Sequence, residues 1–331
     1  VGFFFFYYYI ENMEWYDLGI AWDWEYDADF VSLLESSSRS RGMSLLQMTP
    51  GNVQEVVRSL YGEKIMLHTF FDRASDTNAM FVPIVEWAAV NARRHINAYE
   101  LAHLAWDKER MHKAISIRGY TPATIVLPSY NERPVLPAVD LGVLGTRFTV
   151  KPANGGGGVG VVNGATSMEQ VLAAREQFPS QKYLVQSYVV PARFDSRRAW
   201  FRVIYCMGKV YSCWWDLDTH VYTPVTSDEE DSFGLTSLAE VMTSIAEICR
   251  LELFSSEIAL TEDGRFVSID YVNDPVDLRL QSKALDGVPD AIVSDIVETI
   301  VMDTLAPIRP AVKNRSTAAG SPSCLRRQHG S

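Results

Sequence analysis

Cysteine is scarce in this chain. The four residues, Cys206, Cys213, Cys249 and Cys324, form no CxxC pair and have no histidine close by. Neither a disulfide framework nor a zinc centre is therefore supported, and a reduced, cytoplasmic setting is expected. Long apolar runs are lacking too. The opening run, residues 3–9, is far shorter than the roughly 20 residues that cross a bilayer, and it has no basic flank of a secretory signal. No membrane partner is expected, although a chain that opens on Val1 rather than Met reads as a fragment. An excess of positive charge is also missing: 30 Lys and Arg stand against 41 Asp and Glu, a net charge of −11. That disfavours nucleic acid as a partner, while a local basic pocket for phosphate stays allowed.

What is present is core material. With 47% hydrophobic and 21% charged residues, the chain is neither disordered nor a membrane bundle, and 331 residues allow about two domains. Apolar strands at residues 18–22, 43–48 and 64–70 alternate with helical spacing at 30–34, 53–60 and 82–93, which predicts an α/β unit with a parallel sheet over residues 15–100. A helix over 98–117 stops at Gly119 and Pro122, and a strand at 123–127 follows. Beyond a connector the pattern becomes α+β and mostly antiparallel. Strands are expected at 147–152, 183–190, 200–206, 209–215, 257–260 and 266–272, with helices at 167–177 and 235–250. The acidic run 228–231 reads as a solvated loop, and residues 307–331 as a disordered basic tail. Cys206 and Cys213, seven apart in a hairpin, read as core filling.

The segment VKPANGGGGVGVV, residues 150–162, matches the dinucleotide fingerprint GxGxxG in its letters. The fingerprint needs a helix N-terminus directly after the glycines, whereas valines that read as a strand (Val159, Val161, Val162) follow here. A Walker A loop is excluded because no Gly-Lys-Ser/Thr ends the run. Consecutive glycines are costly in backbone entropy, so Gly155, Gly156, Gly157 and Gly158 suit a hairpin tip whose bare amides close over a polyphosphate, with Lys151 at its base.

Several motifs in order then resemble the ATP-grasp superfamily across residues 15–305. WDKERMHK holds an Asp107-Lys108 pair, TVKPANGGGG holds Lys151, LVQSYV is similar to the hinge strand, and RRAWFRVIYCMGKV and SSEIALTEDGRFVSIDYVNDPVDLR are similar to the two metal-side hairpins. The resemblance implies a Rossmann-like pre-ATP-grasp domain (15–100, after an extension 1–14) followed by a two-lobed ATP-grasp domain (101–306). It implies ATP and Mg²⁺ as cofactors. Lys108 and Lys151 would face the phosphates. Gln186, Ser187 and Tyr188 would hold the adenine, and Asp195 the ribose. Arg202 would face the reacting phosphate, with Arg198 on the same strand face, and Arg279 would touch phosphate or substrate. Glu257 and Asp270 would bind the metal with Asn273 as third ligand and Asp274 as its substitute; one extra residue separates Asp270 from Asn273 relative to the family pattern.

The activity implied is ATP-dependent joining of a small-molecule carboxylate to an amine through an acylphosphate, with release of ADP and phosphate. An ATP-binding module of reduced activity and a small-molecule kinase use the same pocket and stay open as alternatives. Arg73, at the carboxyl end of a strand, is a candidate for contact with the acceptor. His68, His103, His112 and His220 read as structural. Oligomeric state is open, a homodimer included.

Overall fold

The computed structural model describes residues 13–307; the opening apolar run, most of the basic tail and Cys324 lie outside them. The first unit alternates strand and helix: β1 (Glu14–Trp22), α1 (Ala28–Ser40), β2 (Leu45–Met48), α2 (Val53–Tyr61), β3 (Ile65–Arg73), α3 (Val82–Asn91) and β4 (Arg94–Ile96). The strands form one parallel sheet of order β2-β1-β3-β4. Buried residues at helical spacing explain how it is covered. Phe30, Val31 and Leu34 of α1 join Leu18 and Ile20 on one face, while Val53, Val56 and Leu60 of α2 join Met48 and Leu67 on the other.

The expected helix over 98–117 is two helices, α4 (Tyr99–Trp106) and α5 (Lys108–Ser116). Asp107 breaks it. The Asp107 backbone is extended and its carboxylate accepts from the amides of Glu109 and Arg110, so a short polar side chain caps a new helix start. Lys108 therefore stands in a first turn and not on the flank of a long helix.

Two antiparallel sheets follow. Strands β5 (Thr124–Leu127), β6 (Phe148–Pro152), β7 (Val162–Ala165) and β8 (Tyr183–Ser187) form the first, of order β5-β8-β6-β7, backed by α6 (Met168–Gln177). A small hairpin, β9 (Arg193–Phe194) with β10 (Arg197–Arg198), leads into β11 (Trp200–Cys206), β12 (Lys209–Trp215) and β13 (Tyr222–Pro224). The acidic run lies in a short helix, α7 (Ser227–Phe233), and not in a loop, because Thr226 and Glu229 close a capping box at its start. Then come α8 (Ser237–Cys249), β14 (Leu253–Leu260), β15 (Phe266–Asn273) and α9 (Asp290–Leu305). The second sheet has the order β13-β12-β11-β14-β15, with β14 longer than its sequence pattern suggests.

Helix α9, which the sequence reading did not anticipate, joins the two parts. Its Val293, Ile296, Val297, Ile300 and Val301 share one buried cluster with Leu18 and Phe30 of the parallel sheet unit and with Ile204, Cys206, Cys213 and Leu253 of the antiparallel sheet. Both cysteines fill that core, as their spacing suggested. A polar staple adds to it. Asn97, buried just after β4, donates to Leu253 O at 2.7 Å and to Asp274 Oδ1 at 2.8 Å, and accepts from the amides of Glu252 and Leu253 at 2.7 and 3.0 Å. Asn97→Ala would strand several buried groups, so a loss of about 2–4 kcal/mol is expected, read as a lower denaturant midpoint at unchanged slope.

Candidate functional site

A cavity of about 440 Å³ opens between the two antiparallel sheets. Its walls bring together Lys108, Lys151, Gly155, Gly156, Gly157, Gly158, Gln186, Ser187, Tyr188, Glu257 and Asp270, which the sequence spreads over more than a hundred positions. The volume lies within the range of about 300–1,000 Å³ usual for small-molecule sites.

Lys151 points inward from β6 and is almost fully buried. Its ammonium donates to Ile269 O at 2.7 Å and stands 5.2 Å from the centre of the Tyr271 ring. Burial pulls its pKa down to about 8, the nearby Lys108 adds to that, and Asp270 and Glu257 only partly offset it. Lys108 Nζ donates to Gly155 O at 2.6 Å and lies 3.8 Å from Asp270 Oδ1. The glycine run is the tip of the β6–β7 hairpin. Strand β7, not a helix, follows it, so the dinucleotide fingerprint is ruled out on geometry. Val159 and Val161 belong to the turn and not to the strand, and Gly160 has room for no side chain: its φ is +75° and an added Cβ would meet Phe178 at 2.6 Å.

On the opposite wall Glu257 of β14 is the direct cross-strand partner of Asp270 of β15. Register shifts flank this pair on both sides, and the one between Asp270 and Asn273 absorbs the extra residue noted in the sequence. Asn273 consequently returns to the same face. With its side-chain amide turned to the orientation its neighbours require, the nitrogen donates to Asp270 Oδ2 and the oxygen accepts from Arg202 Nη1, both at 3.0 Å; in the opposite orientation the nitrogen reaches Ser255 O at 3.3 Å. Arg202 also donates to Glu257 Oε1 at 2.8 Å, and Trp200 Nε1 reaches Glu257 Oε2 at 3.4 Å. Burial pushes the Glu257 carboxyl up, Arg202 opposes that, and Asp270 adds to it. Asp270 Oδ1 is buried with no hydrogen-bond partner. A buried carboxylate oxygen with no hydrogen bond and only the Lys108 ammonium at 3.8 Å, beside a second carboxylate, suits a hard cation such as Mg²⁺, which takes few protein oxygens and keeps the rest for phosphate and water. No group of three His, Cys, Asp or Glu among the described residues is disposed to hold a metal, so two acids and an amide are the available donors.

Other expected residues lie elsewhere. Asp195 is exposed in the β9–β10 turn with φ +54° and does not line the cavity. Arg202 does not line the cavity: it sits across from Glu257 on the same sheet face with its guanidinium 5.1 Å from the Trp215 ring, whereas Arg198 lines the cavity and pairs with Asp218 at 2.5 Å. Arg279 is tied to Asp277 and Asp286 at 2.7 and 3.0 Å, away from the cavity. Asp274 turns to Asn97, and burial raises its pKa to about 7. Sequence reasoning missed Trp200 and Thr124. Trp200 falls between Arg198 and Arg202 at the even offset that marks one strand face, and Thr124 had no signal, because it faces Gln186 only through the β5–β8 pairing.

A second cavity, of about 550 Å³, lies at the carboxyl edge of the parallel sheet. Arg73 is on its floor, donating through Nε and Nη2 to both oxygens of Asp27 at 2.9 and 2.6 Å and through Nη2 to Val276 O at 3.0 Å. Asp23, Glu25, Asp76 and Asp277 stand around it.

No protein-family model and no curated protein sequence matches the chain. Solved structures do. A D-alanine–D-alanine ligase from Bacillus anthracis superposes with a TM-score of 0.60 at 12% identity, covering 88% of this chain and 97% of its own. A RimK domain ATP-grasp protein from Sphaerobacter thermophilus gives 0.58 at 16% identity, covering 87% and 100%. The ATP-grasp ligase PsnB, solved with a minimal precursor, Mg and ADP, gives 0.55 at 11% identity, covering 86% and 98%. The chain has the ATP-grasp fold.

Proposed function

We propose that the protein is an ATP-dependent ligase that joins a carboxylate to an amine with release of ADP and phosphate. The observation that carries this is the convergence of two lysines, a bare-backbone hairpin tip and a carboxylate pair on one cavity. In this reading the parallel-sheet unit is a Rossmann-like pre-ATP-grasp domain and residues 101–306 are the ATP-grasp domain.

Lys108 and Lys151 bind the phosphates, and the hairpin tip offers its amides and excludes water that would hydrolyse an acylphosphate. Ser187 and Tyr188 border the base and Gln186 reads its amino group. Glu257, Asp270 and Asn273 would hold Mg²⁺, which supplies charge neutralisation of the phosphates when bound. The substrate carboxylate attacks the γ-phosphorus, ADP leaves, and the amine then displaces phosphate from the acyl carbon. Arg198, which lines the cavity, would face the transferred group, and Arg202 would hold Glu257 and Asn273 in place. The second cavity suits the acceptor: carboxylates outnumber Arg73 there, which favours an amine.

The return of Asn273 to the side of Asp270 favours the ligase over a module with reduced metal binding. Incubation with Mg-ATP and a panel of carboxylates and amines, with hydroxylamine added to trap an acylphosphate as the hydroxamate, tests the reading. ADP with hydroxamate supports it; a phosphorylated alcohol with no hydroxamate would make the protein a kinase, and no ADP with any pair would count against turnover.

The buried ammonium also sets a pH dependence. Lys151 has a pKa of about 8 in the free protein, and an adjacent polyphosphate raises it in the complex. ATP affinity is therefore expected to be flat below pH 8 and to fall above it by up to about tenfold per pH unit, measured by calorimetry in buffers of different ionisation enthalpy. Over the window from about 8 to the ordinary lysine value the stability contribution has the opposite sign. The unfolded chain holds the proton that the folded one releases, so the free protein gains stability as pH rises.

A further inference from the structure

The orientation of the Gln186 amide is dictated by Thr124 and Tyr271, neither of which lines the cavity. Thr124 Oγ1 donates its single proton to Pro122 O at 2.9 Å, so its oxygen can only accept. Gln186 Nε2 is the donor that reaches it, at 3.0 Å, and the same nitrogen donates to Tyr271 OH at 2.9 Å. Tyr271 OH lies 2.8 Å from His112 Nδ1, and with the imidazole proton on Nε2 it donates its own proton there while accepting from Gln186. Both amide protons of Gln186 are thereby committed behind the wall. Its Oε1 carries no hydrogen bond among the described residues and is the polar atom left to the cavity that Gln186 lines.

We propose that Thr124, Tyr271 and His112 are positioning residues that set the base specificity of the nucleotide site by locking Gln186 as a pure acceptor, an inference that rests on the nucleotide reading above. An unlocked glutamine amide turns over and serves a 6-amino or a 6-oxo purine equally, so the side chain alone does not discriminate. Held as an acceptor, it pairs with a 6-amino group and sets two lone pairs against each other when a 6-oxo group arrives. The relay is almost wholly buried: Gln186 is 3% and Tyr271 1% exposed, so water does not readily substitute for a missing partner.

Calorimetric dissociation constants for ATP and ITP, with Mg²⁺ and the full chain, test this, since the two nucleotides differ at position 6 of the base and its neighbouring ring proton. The wild type is expected to prefer ATP by about thirtyfold or more. Tyr271→Phe and Thr124→Val should each lower that ratio several-fold, and the double variant should bring it near unity, chiefly by tightening ITP. His112→Phe reaches neither the cavity nor Gln186, yet it frees the Tyr271 hydroxyl to donate and should lower the ratio as well. Adding Gln186→Glu to Tyr271→Phe should restore the preference, because a carboxylate has no donor to turn towards the base. Melting temperatures of each variant separate loss of fold from loss of selectivity, which a merely structural role would not move. Equal affinities in the wild type, or an unchanged ratio in the folded variants, overturn the inference while leaving the nucleotide site standing. Failure of the wild type to bind ATP overturns that site and the inference together.

Discussion

Lys151→Met is expected to weaken ATP binding by about a hundredfold or more while leaving the melting temperature of the free protein within a few degrees of wild type. The ammonium is buried before any ligand arrives, and its pKa of about 8 records a desolvation cost already borne by the fold. Nearly all of its attraction for a phosphate therefore appears in binding. At an effective dielectric of about 20, a unit charge at roughly 4 Å contributes on the order of 4 kcal/mol, and a net 3 kcal/mol is roughly a hundredfold in Kd. Methionine keeps the unbranched stem, and relief of the buried charge offsets the lost bond to Ile269 O. Calorimetric titration with ATP checks this, and a Kd within threefold of wild type would remove Lys151 from the phosphate site.

Asp270→Asn should act on a different quantity. Turnover is expected to fall by about a hundredfold or more, since one of two anionic metal donors is lost and charge neutralisation at the phosphates is worth several kcal/mol. Metal-free ATP binding should be kept or improved, because a negative charge facing the phosphates is gone. Asp270 also helps push up the Glu257 carboxyl, so its neutralisation removes like-charge repulsion between paired strands and the free protein should not lose stability. The decisive measurement is the Mg²⁺ dependence of ATP affinity: steep in the wild type and nearly flat in the variant. An unchanged dependence would place the metal elsewhere.

The contrast between these two variants follows from how each residue was recognisable. Lys151 announces itself locally, by a strand running into four glycines, whereas Asp107-Lys108 stood out only as a pair resembling a family motif, and the helix start that Asp107 caps was not anticipated. The β-α-β alternation, the hairpin at Cys206 and Cys213 and the acid-bearing strands are likewise local, because burial on one face or two imposes periods of 2.0 or 3.6 on the chain. Arg202 shows where local reasoning stops. Its strand and face are legible, but a register pairing Arg202 with Glu257 turns its guanidinium into a brace for the carboxylate. Asp195 and Arg279 had the right residue type at roughly the right distance, and a hairpin turn and two aspartates hold them apart from the cavity.

The sequence by itself determined the alternation of elements, the hairpin character of the glycine run and the buried position of the cysteines, since all of these depend on neighbours within a few residues, while the two lysines and two acids stood out through their resemblance to a family pattern. Only the tertiary structure decided that Asn273 stands beside Asp270, that α9 closes back on the first sheet and that Thr124, Tyr271 and His112 hold one amide. Those arrangements depend on strand register and on a bulge, and a shift of one residue in either redirects every side chain beyond it.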